Sequence, residues 1–194
     1  MRPIPENPYS PGPYAEPSKP YAQPDRHLCL PASLSEAVSA AFCDEGGEPK
    51  EAGALLYGVR GAEAGDADMV HALVIPDQDR HRAHYRMPPE SIAAASAATR
   101  AYGWVTLAQV HSHPGEHVEH SWYDDRHAIS IRAVSFVLPD YGRHACDWLA
   151  RAGVHDYQND WWHQLTAKQA AARVSFMNAP LQIVDLRNQN ARTT

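Results

Sequence analysis

A short segment, residues 111–125, carries side chains that could together bind a metal ion. It reads His-Ser-His-Pro-Gly-Glu-His-Val-Glu-His-Ser-Trp-Tyr-Asp-Asp. Side chains two positions apart on a strand point the same way, so His111 and His113 would present two imidazoles to one side. The Pro-Gly pair ends that strand, and a loop can return Asp124, at the start of a helix, to the same point. Two nitrogens and one carboxylate oxygen are a ligand set typical of catalytic zinc sites.

Three protein ligands would leave the fourth position of a zinc ion to water, whose pKa then falls from about 15.7 to about 7. Hydrolysis also needs a proton acceptor that later protonates the leaving group, and a donor to the oxyanion. Glu51 and Ser121 are the candidates for these two tasks. Each has a simpler alternative: Glu51 could be a solvated charge ahead of a strand, and Ser121 could cap a helix in a capping box with Asp124.

The spacing of the whole motif makes the metal site the favoured interpretation. His-x-His-Pro is followed by Ser-x-x-Asp after a gap of seven residues, counted from Pro114 to His120. This arrangement resembles the signature of the JAB/JAMM family, the MPN-plus proteases. The resemblance implies that His111, His113 and Asp124 are zinc ligands and that Ser121 stabilises the tetrahedral intermediate.

The family also carries a glutamate on an early strand, ahead of small residues and leucines that end in glycine. Glu51-Ala-Gly-Ala-Leu-Leu-Tyr-Gly58 resembles this element. The resemblance therefore implies that Glu51 takes the proton from water and passes it to the departing amine. One departure is Ala54, which stands where the family has a glycine, with Gly53 beside it.

The resemblance further implies a fold and a substrate class. The fold would be a single-domain, cytidine-deaminase-like α/β arrangement in which helices flank a mixed β-sheet. The reaction would be hydrolysis of a peptide or isopeptide bond after the C-terminal glycine of ubiquitin or a ubiquitin-like protein. The compact chain is similar to the bacterial branch, whose members accompany activating or conjugating enzymes in antiviral or modification operons. Trimming of a sulfur-carrier protein and a non-catalytic MPN scaffold are the alternatives.

Hydrophobic patterning predicts the elements that must position these residues. Apolar residues at helical spacing predict a helix from Ser33 to about Gly46, and an Ala-rich stretch predicts another from Pro88 to Tyr102. Further elements are predicted in chain order: strands at 54–59, 69–76, 104–111 and 133–139, a helix at 121–131, a hairpin at 153–165, an Ala-rich helix after 166 and a strand at 181–186. The alternation of strands and helices predicts an α/β or α+β layer.

The two ends and the overall charge limit the remaining possibilities. Residues 1–31 hold nine prolines and predict a flexible tail, with a docking strand as the alternative; residues 32–194 form the predicted domain. A net charge of -6 without a Lys/Arg cluster argues against nucleic acid as a partner. Because no apolar run could span a bilayer and no secretory signal is present, a cytoplasmic location is expected. His117 and His120 are predicted to be surface histidines of the loop, with substrate contact as the alternative.

Overall fold

A computed structural model describes residues 19–24, 26–43, 48–63, 65–127, 134–144 and 147–187, with Arg126 and His127 as backbone alone. The helices are α1 Leu34–Phe42, α2 Pro89–Thr99, α3 Trp122–His127, α4 Trp148–Arg151 and α5 Ala167–Arg173. The strands are β1 Leu28–Pro31, β2 Gly53–Val59, β3 Asp68–Ile75, β4 Asp79–Arg80, β5 Tyr85–Arg86, β6 Val105–Ser112, β7 Val134–Leu138, β8 Gly153–Gln158, β9 Trp161–Gln164, β10 Val174–Met177 and β11 Gln182–Asp185.

One mixed sheet organises the described part of the chain. Its strand order is β10-β1-β3-β2-β6-β7-β8-β9, and β11 also pairs with β3. The pairs β2/β3, β2/β6, β7/β8 and β8/β9 are antiparallel, whereas β6 and β7 run parallel. The short strands β4 and β5 form a separate hairpin. The predicted mixed sheet flanked by helices is therefore confirmed.

Helices pack against both faces of the sheet, because adjacent residues of β2 point to opposite sides. Leu56 belongs to the larger apolar cluster, which includes Leu34 and Val38 of α1. Leu55 belongs to a second cluster, which includes Ala95 of α2. The strand β6 lies between β2 and β7 and is buried from its third residue onwards. Its apolar run without alternation, typical of a covered central strand, is explained by this position.

The N-terminal segment contributes more to the sheet than its composition indicates. The last four residues of the stretch assigned to the tail form β1, in which Leu28 and Leu30 are buried. Before β1, the Tyr21 hydroxyl donates to Asp156 Oδ2 at 3.1 Å, and Ala22 exchanges two hydrogen bonds with the Gln158 side chain. Tyr21, Ala22 and β1 therefore contact the rest of the described chain.

Several other elements differ from the sequence-based predictions. The first helix ends at Phe42, because the backbone of Cys43 is extended, and residues 44–47 lie outside the described residues. The third helix is described only as far as His127, since residues 128–133 also lie outside them. Neither β10 nor α4 was predicted, because each has only four residues and too little pattern to detect. The longest described helix, α2, has 11 residues, and no helix in the described ranges is long and apolar enough to cross a membrane.

Candidate metal centre

The end of β6 positions two histidines on one side of the sheet. His111 lies in the strand and His113 directly after it, and both are almost completely buried. The strand-like course continues past Ser112, because the His113 N–H donates to the Leu138 carbonyl of β7 at 2.9 Å. Strand alternation therefore directs both imidazoles to the same face.

The first turn of α3 supplies the carboxylate. Both the backbone N–H and the hydroxyl of Ser121 donate to Asp124 Oδ2, at 2.7 and 2.6 Å. The Asp124 N–H donates back to Ser121 Oγ at 3.2 Å. The capping interaction that sequence offered as an alternative to a metal site is thus present, and it holds the Asp124 carboxylate beside the histidines.

The three side chains converge closely enough to bind one metal ion. His111 Nε2 lies 3.2 Å from His113 Nε2 and 3.4 Å from Asp124 Oδ1, and His113 Nε2 lies 3.1 Å from Asp124 Oδ2. Ligands held about 2.0–2.1 Å from a tetrahedral metal lie about 3.3–3.4 Å apart, so these separations fit. Among the described residues, this is the one group of three or more His, Cys, Asp or Glu side chains so arranged.

The protonation states also suit metal binding. Burial lowers the pKa of His111, so its imidazole is neutral at physiological pH. Burial alone would raise the pKa of Asp124, but the imidazoles of His111 and His113 outweigh it and hold that pKa well below its usual value. Neutral imidazole and ionised carboxylate are the forms that bind metals.

Glu51 lies beside the histidines, immediately before β2. Gly53 pairs with His111, and Ala52 and Ser112 exchange hydrogen bonds of 3.0 and 3.1 Å. Continuing this register places Glu51 opposite His113 and, by alternation, on the same face. The residue is 3% exposed, which excludes the solvated-charge alternative. A buried carboxylate next to the ligand set is therefore available for proton transfer.

The β4–β5 hairpin forms a wall of the site that the sequence analysis missed. The Tyr85 ring lies 5.6 Å from the His111 ring, between centroids. A Cβ on Gly53 would lie 2.3 Å from Tyr85 Cε2, so only glycine leaves room for this ring. Burial, followed by the charges of Asp124 and Glu51, raises the pKa of Tyr85 well above 10. The signal in the sequence was the glycine two residues after the glutamate.

Arg80 ties the hairpin to the strand that carries the glutamate. Its Nη2 donates to the carbonyls of Phe42 and Lys50 at 3.0 and 3.1 Å, and its Nε donates to the Glu51 carbonyl at 3.1 Å. The Glu51 N–H in turn donates to the His81 carbonyl at 2.8 Å. The backbone on both sides of Glu51 is therefore fixed from outside its own strand.

The two loop histidines have opposite environments. The His117 side chain is 71% exposed, as predicted. The surface position predicted for His120 is wrong, because its side chain is 4% exposed and hydrogen-bonds Asp125 and Ser135 at 3.0 and 2.9 Å. Burial lowers the pKa of His120 to about 3. Nothing in the local sequence distinguishes these two histidines, since both occur in the same polar loop.

Comparisons with known proteins agree with this geometry. Residues 31–164, which contain all five candidate residues, match the family described as prokaryotic homologs of the JAB domain. A protein of Sinorhizobium fredii named "Probable metalloprotease y4jG" is 30% identical over 129 residues, which cover 63% of this chain and 77% of that protein. The solution structure of protein DSY2949 from Desulfitobacterium hafniense is similar in fold, with a TM-score of 0.56 and 21% identity over 79% of this chain and 94% of that one.

Proposed function

Since this chain belongs to the family of prokaryotic homologs of the JAB domain, we propose that it is a zinc-dependent peptidase or isopeptidase. The bond cleaved would follow the C-terminal glycine of a ubiquitin or ubiquitin-like protein. The observation that carries the proposal is the buried convergence of His111, His113 and Asp124, with ligand atoms 3.1–3.4 Å apart. A relative named as a probable metalloprotease supports the peptidase activity.

Zinc is the proposed metal because the ligand set has two imidazoles and one carboxylate. When bound, zinc supplies Lewis-acid chemistry and lowers the pKa of water to about 7. The protein's contribution is to hold His111 neutral and Asp124 ionised before the metal arrives, which the lowered pKa values of both residues support.

Glu51 is the proposed general base and acid. It would take a proton from the attacking water and return it to the departing amine. Its burial and its place opposite His113 support this role, because a carboxylate shielded from solvent keeps a transferred proton within the site. The contacts made by Arg80 hold the Glu51 backbone in place and limit its movement.

Ser121 is the proposed oxyanion donor. Its hydroxyl donates to Asp124 Oδ2 in this structure, at 2.6 Å. A turn about the Cβ–Oγ bond would redirect the hydroxyl hydrogen to a substrate oxyanion, while Oγ still accepts from the Asp124 N–H at 3.2 Å and the Ser121 N–H keeps its bond of 2.7 Å to Asp124. The cap and the oxyanion donor are therefore compatible roles of one residue.

The aromatic side chains around the site favour the proposed substrate class. Tyr85 covers His111, and the His84 ring lies 6.4 Å from the Tyr123 ring of α3. Aromatic side chains from both the hairpin and α3 favour a substrate with small residues at the scissile bond, such as a C-terminal glycine. Such a chain would act in the cytoplasm on a ubiquitin-like protein or its conjugates, alongside activating or conjugating enzymes of the same operon.

Incubation of the purified protein with C-terminally extended ubiquitin-like and sulfur-carrier proteins, with and without a chelator, tests the proposal. We expect cleavage that the chelator stops and zinc restores. Glu51→Gln should lower the rate constant about 100- to 10,000-fold while zinc remains bound at one ion per chain. Glu48→Gln, which changes an exposed glutamate of the same segment, is the matched control and should behave as wild type.

Two results would replace the proposal with the alternatives. Cleavage of extended sulfur-carrier proteins alone would keep the zinc peptidase and change its substrate. Stoichiometric zinc without cleavage of any extended protein, or no metal at all, would favour a non-catalytic scaffold.

A further inference from the structure

A chain of hydrogen bonds connects β6 to α3 beside the metal-binding residues. Gln109 Nε2 donates to Ser135 Oγ at 3.1 Å. Ser135 Oγ lies 2.9 Å from His120 Nε2, and His120 Nδ1 lies 3.0 Å from Asp125 Oδ1. One consistent assignment of protons satisfies all three bonds: the Ser135 hydroxyl donates to His120 Nε2, and the His120 Nδ1–H donates to Asp125.

Ser135, His120 and Asp125 are hydrogen-bonded in the order of the catalytic triad of a serine hydrolase. These three residues cannot act as such a triad. Ser135 is 0% exposed, and its Oγ accepts a hydrogen bond from Gln109. The His120 ring stacks on His155, with centroids 4.0 Å apart, and meets Trp162 edge-on at 5.0 Å. A substrate could not reach the serine oxygen through these packed rings, so these hydrogen bonds have a structural task.

The two residues at the ends of this hydrogen-bond series, Gln109 and Asp125, show what that task is. Gln109 lies two residues before the ligand His111 on β6, and strand alternation puts both side chains on one face. Asp125 follows the ligand Asp124 in the first turn of α3. The hydrogen bonds thus join the two elements that carry the ligands, through a residue of the intervening loop.

We propose that His120 is a positioning residue, which fixes the distance between β6 and α3 so that Asp124 meets His111 and His113. These hydrogen bonds add to the contacts that Asp124 itself makes with His111 and His113, at 3.1–3.4 Å. This inference rests on the metal site of the proposed function. It adds that metal affinity depends on a residue that does not touch the metal.

Zinc affinity of His120→Ala, Ser135→Ala and the double variant tests the inference, measured on metal-free protein against a chromogenic chelator. Each single variant should bind zinc about 10- to 100-fold more weakly than wild type. Because both residues act through the same series of hydrogen bonds, the double variant should bind zinc no more weakly than the weaker-binding single variant. His117→Ala, an exposed histidine of the same loop, is the matched control and should stay within about 2-fold.

The visible absorption of bound Co²⁺ reports the ligand geometry and would not respond to a general loss of stability. We expect His120→Ala to alter this spectrum, and Ser135→Thr, which keeps the hydroxyl, to restore both spectrum and affinity relative to Ser135→Ala. Ser135→Ala removes a single hydroxyl and leaves the histidine stack intact, so it remains informative where His120→Ala folds poorly. Wild-type zinc affinity and an unchanged Co²⁺ spectrum in folded Ser135→Ala would overturn the inference, as would additive losses in the double variant.

Hydrogen–deuterium exchange in the metal-free protein separates this inference from the proposed function. Amides of residues 118–125 should exchange about 10-fold faster in His120→Ala than in wild type, with His117→Ala unchanged. If wild type binds no zinc, the proposed function fails and the exchange result alone decides whether His120 anchors the first turn of α3. Unchanged exchange rates at residues 118–125 in His120→Ala would contradict the proposal that His120 anchors this turn.

Discussion

Two groups of buried histidines lie next to each other on one face of the sheet, and they arrange their imidazole rings in different ways. The rings of His111 and His120 are only 5.6 Å apart, between centroids. In the first group, His111 and His113 direct Nε2 at each other and at Asp124, at 3.1–3.4 Å. In the second, His120 and His155 stack ring on ring, 4.0 Å apart and inclined by 17°.

This difference teaches that burial alone does not identify a metal ligand. Both groups are buried and both contain neutral imidazoles, because burial lowers the pKa values of His111, His120 and His155 alike. The positions of the ring nitrogens distinguish the two groups. Those of the first group converge on one point with a carboxylate, whereas neither nitrogen of His155 is hydrogen-bonded to a described residue. His155 is therefore a packing residue that happens to carry nitrogen.

The largest effect is expected from His113→Ala in the first group. The variant loses one of three ligands, so it should not retain zinc at micromolar concentration. Its peptidase rate should fall at least about 1,000-fold, because the Lewis acid contributes several kcal/mol to the transition state. Metal analysis and the cleavage assay measure both, with His144→Ala, an exposed histidine, as the control. Retained zinc in the variant would contradict the ligand assignment.

The wall beside the first group is expected to be the next most sensitive feature. In Gly53→Ala, the new methyl group would meet the Tyr85 ring, which must move away from His111. We expect a loss of about 1–3 kcal/mol in the free energy of unfolding and a fall of about 10-fold in peptidase activity. In a Tyr85→Ala background, Gly53→Ala should change the free energy of unfolding little, because the ring that the methyl group would meet is absent. A loss as large as in the wild-type background would contradict this explanation. Chemical denaturation and the cleavage assay measure the two effects.

The second group should tolerate loss of the His155 nitrogen atoms. His155→Phe keeps a flat ring against His120 and removes two buried nitrogens that lack described partners. We expect unchanged zinc affinity and a free energy of unfolding at neutral pH that is equal to wild type or about 1 kcal/mol higher. A loss of zinc in the folded variant would show that His155 also serves the metal site and is more than a packing residue.

The same variant should reduce the acid sensitivity of the metal-free protein. The folded-state pKa of His155 is well below the ordinary value of 6.5, so the unfolded chain binds a proton that the folded one does not. The stability that depends on neutral His155 is present above pH 6.5 and is lost as the pH falls below it. Between pH 7.5 and 5.5 this loss is about 1.4 kcal/mol per histidine. Urea unfolding at both values should show a loss smaller by about this amount in His155→Phe.

The smallest effect is expected at the exposed histidine of the loop. His117 is 71% exposed and lies 3.9 Å from an exposed Glu119 carboxylate, an ion pair of little energetic value. His117→Ala should change the free energy of unfolding by less than about 0.5 kcal/mol and leave zinc affinity unaltered. A large loss in His117→Ala would remove the contrast between this residue and His120.

Local periodicity made much of the fold predictable. The hairpin of β2 and β3, the central strand β6, the helix α2 and the hairpin of β8 and β9 all follow the predicted ranges within a few residues. Short elements were missed: β10 and α4 have four residues each, and β1 lies in a proline-rich stretch. The two strands form because strands from distant parts of the chain supply their hydrogen-bond partners, as β1 does for β10, whereas the single turn of α4 is capped locally by Asp147.

The sequence by itself determined which three residues could bind a metal ion and how each is oriented on its own element, because that geometry is local. A spacing of two residues on a strand directs His111 and His113 to one face, and a capped first turn orients Asp124 within its helix. The approach of α3 to β6, which brings Asp124 to the histidines, depends on the tertiary structure. The tertiary structure alone decided the surroundings. Tyr85 reaches His111 from the β4–β5 hairpin, 26 positions earlier in the chain, and His120 is buried because β7 and β8 supply Ser135 and His155. Such contacts join residues far apart in the chain, whose proximity depends on the strand order of the whole sheet.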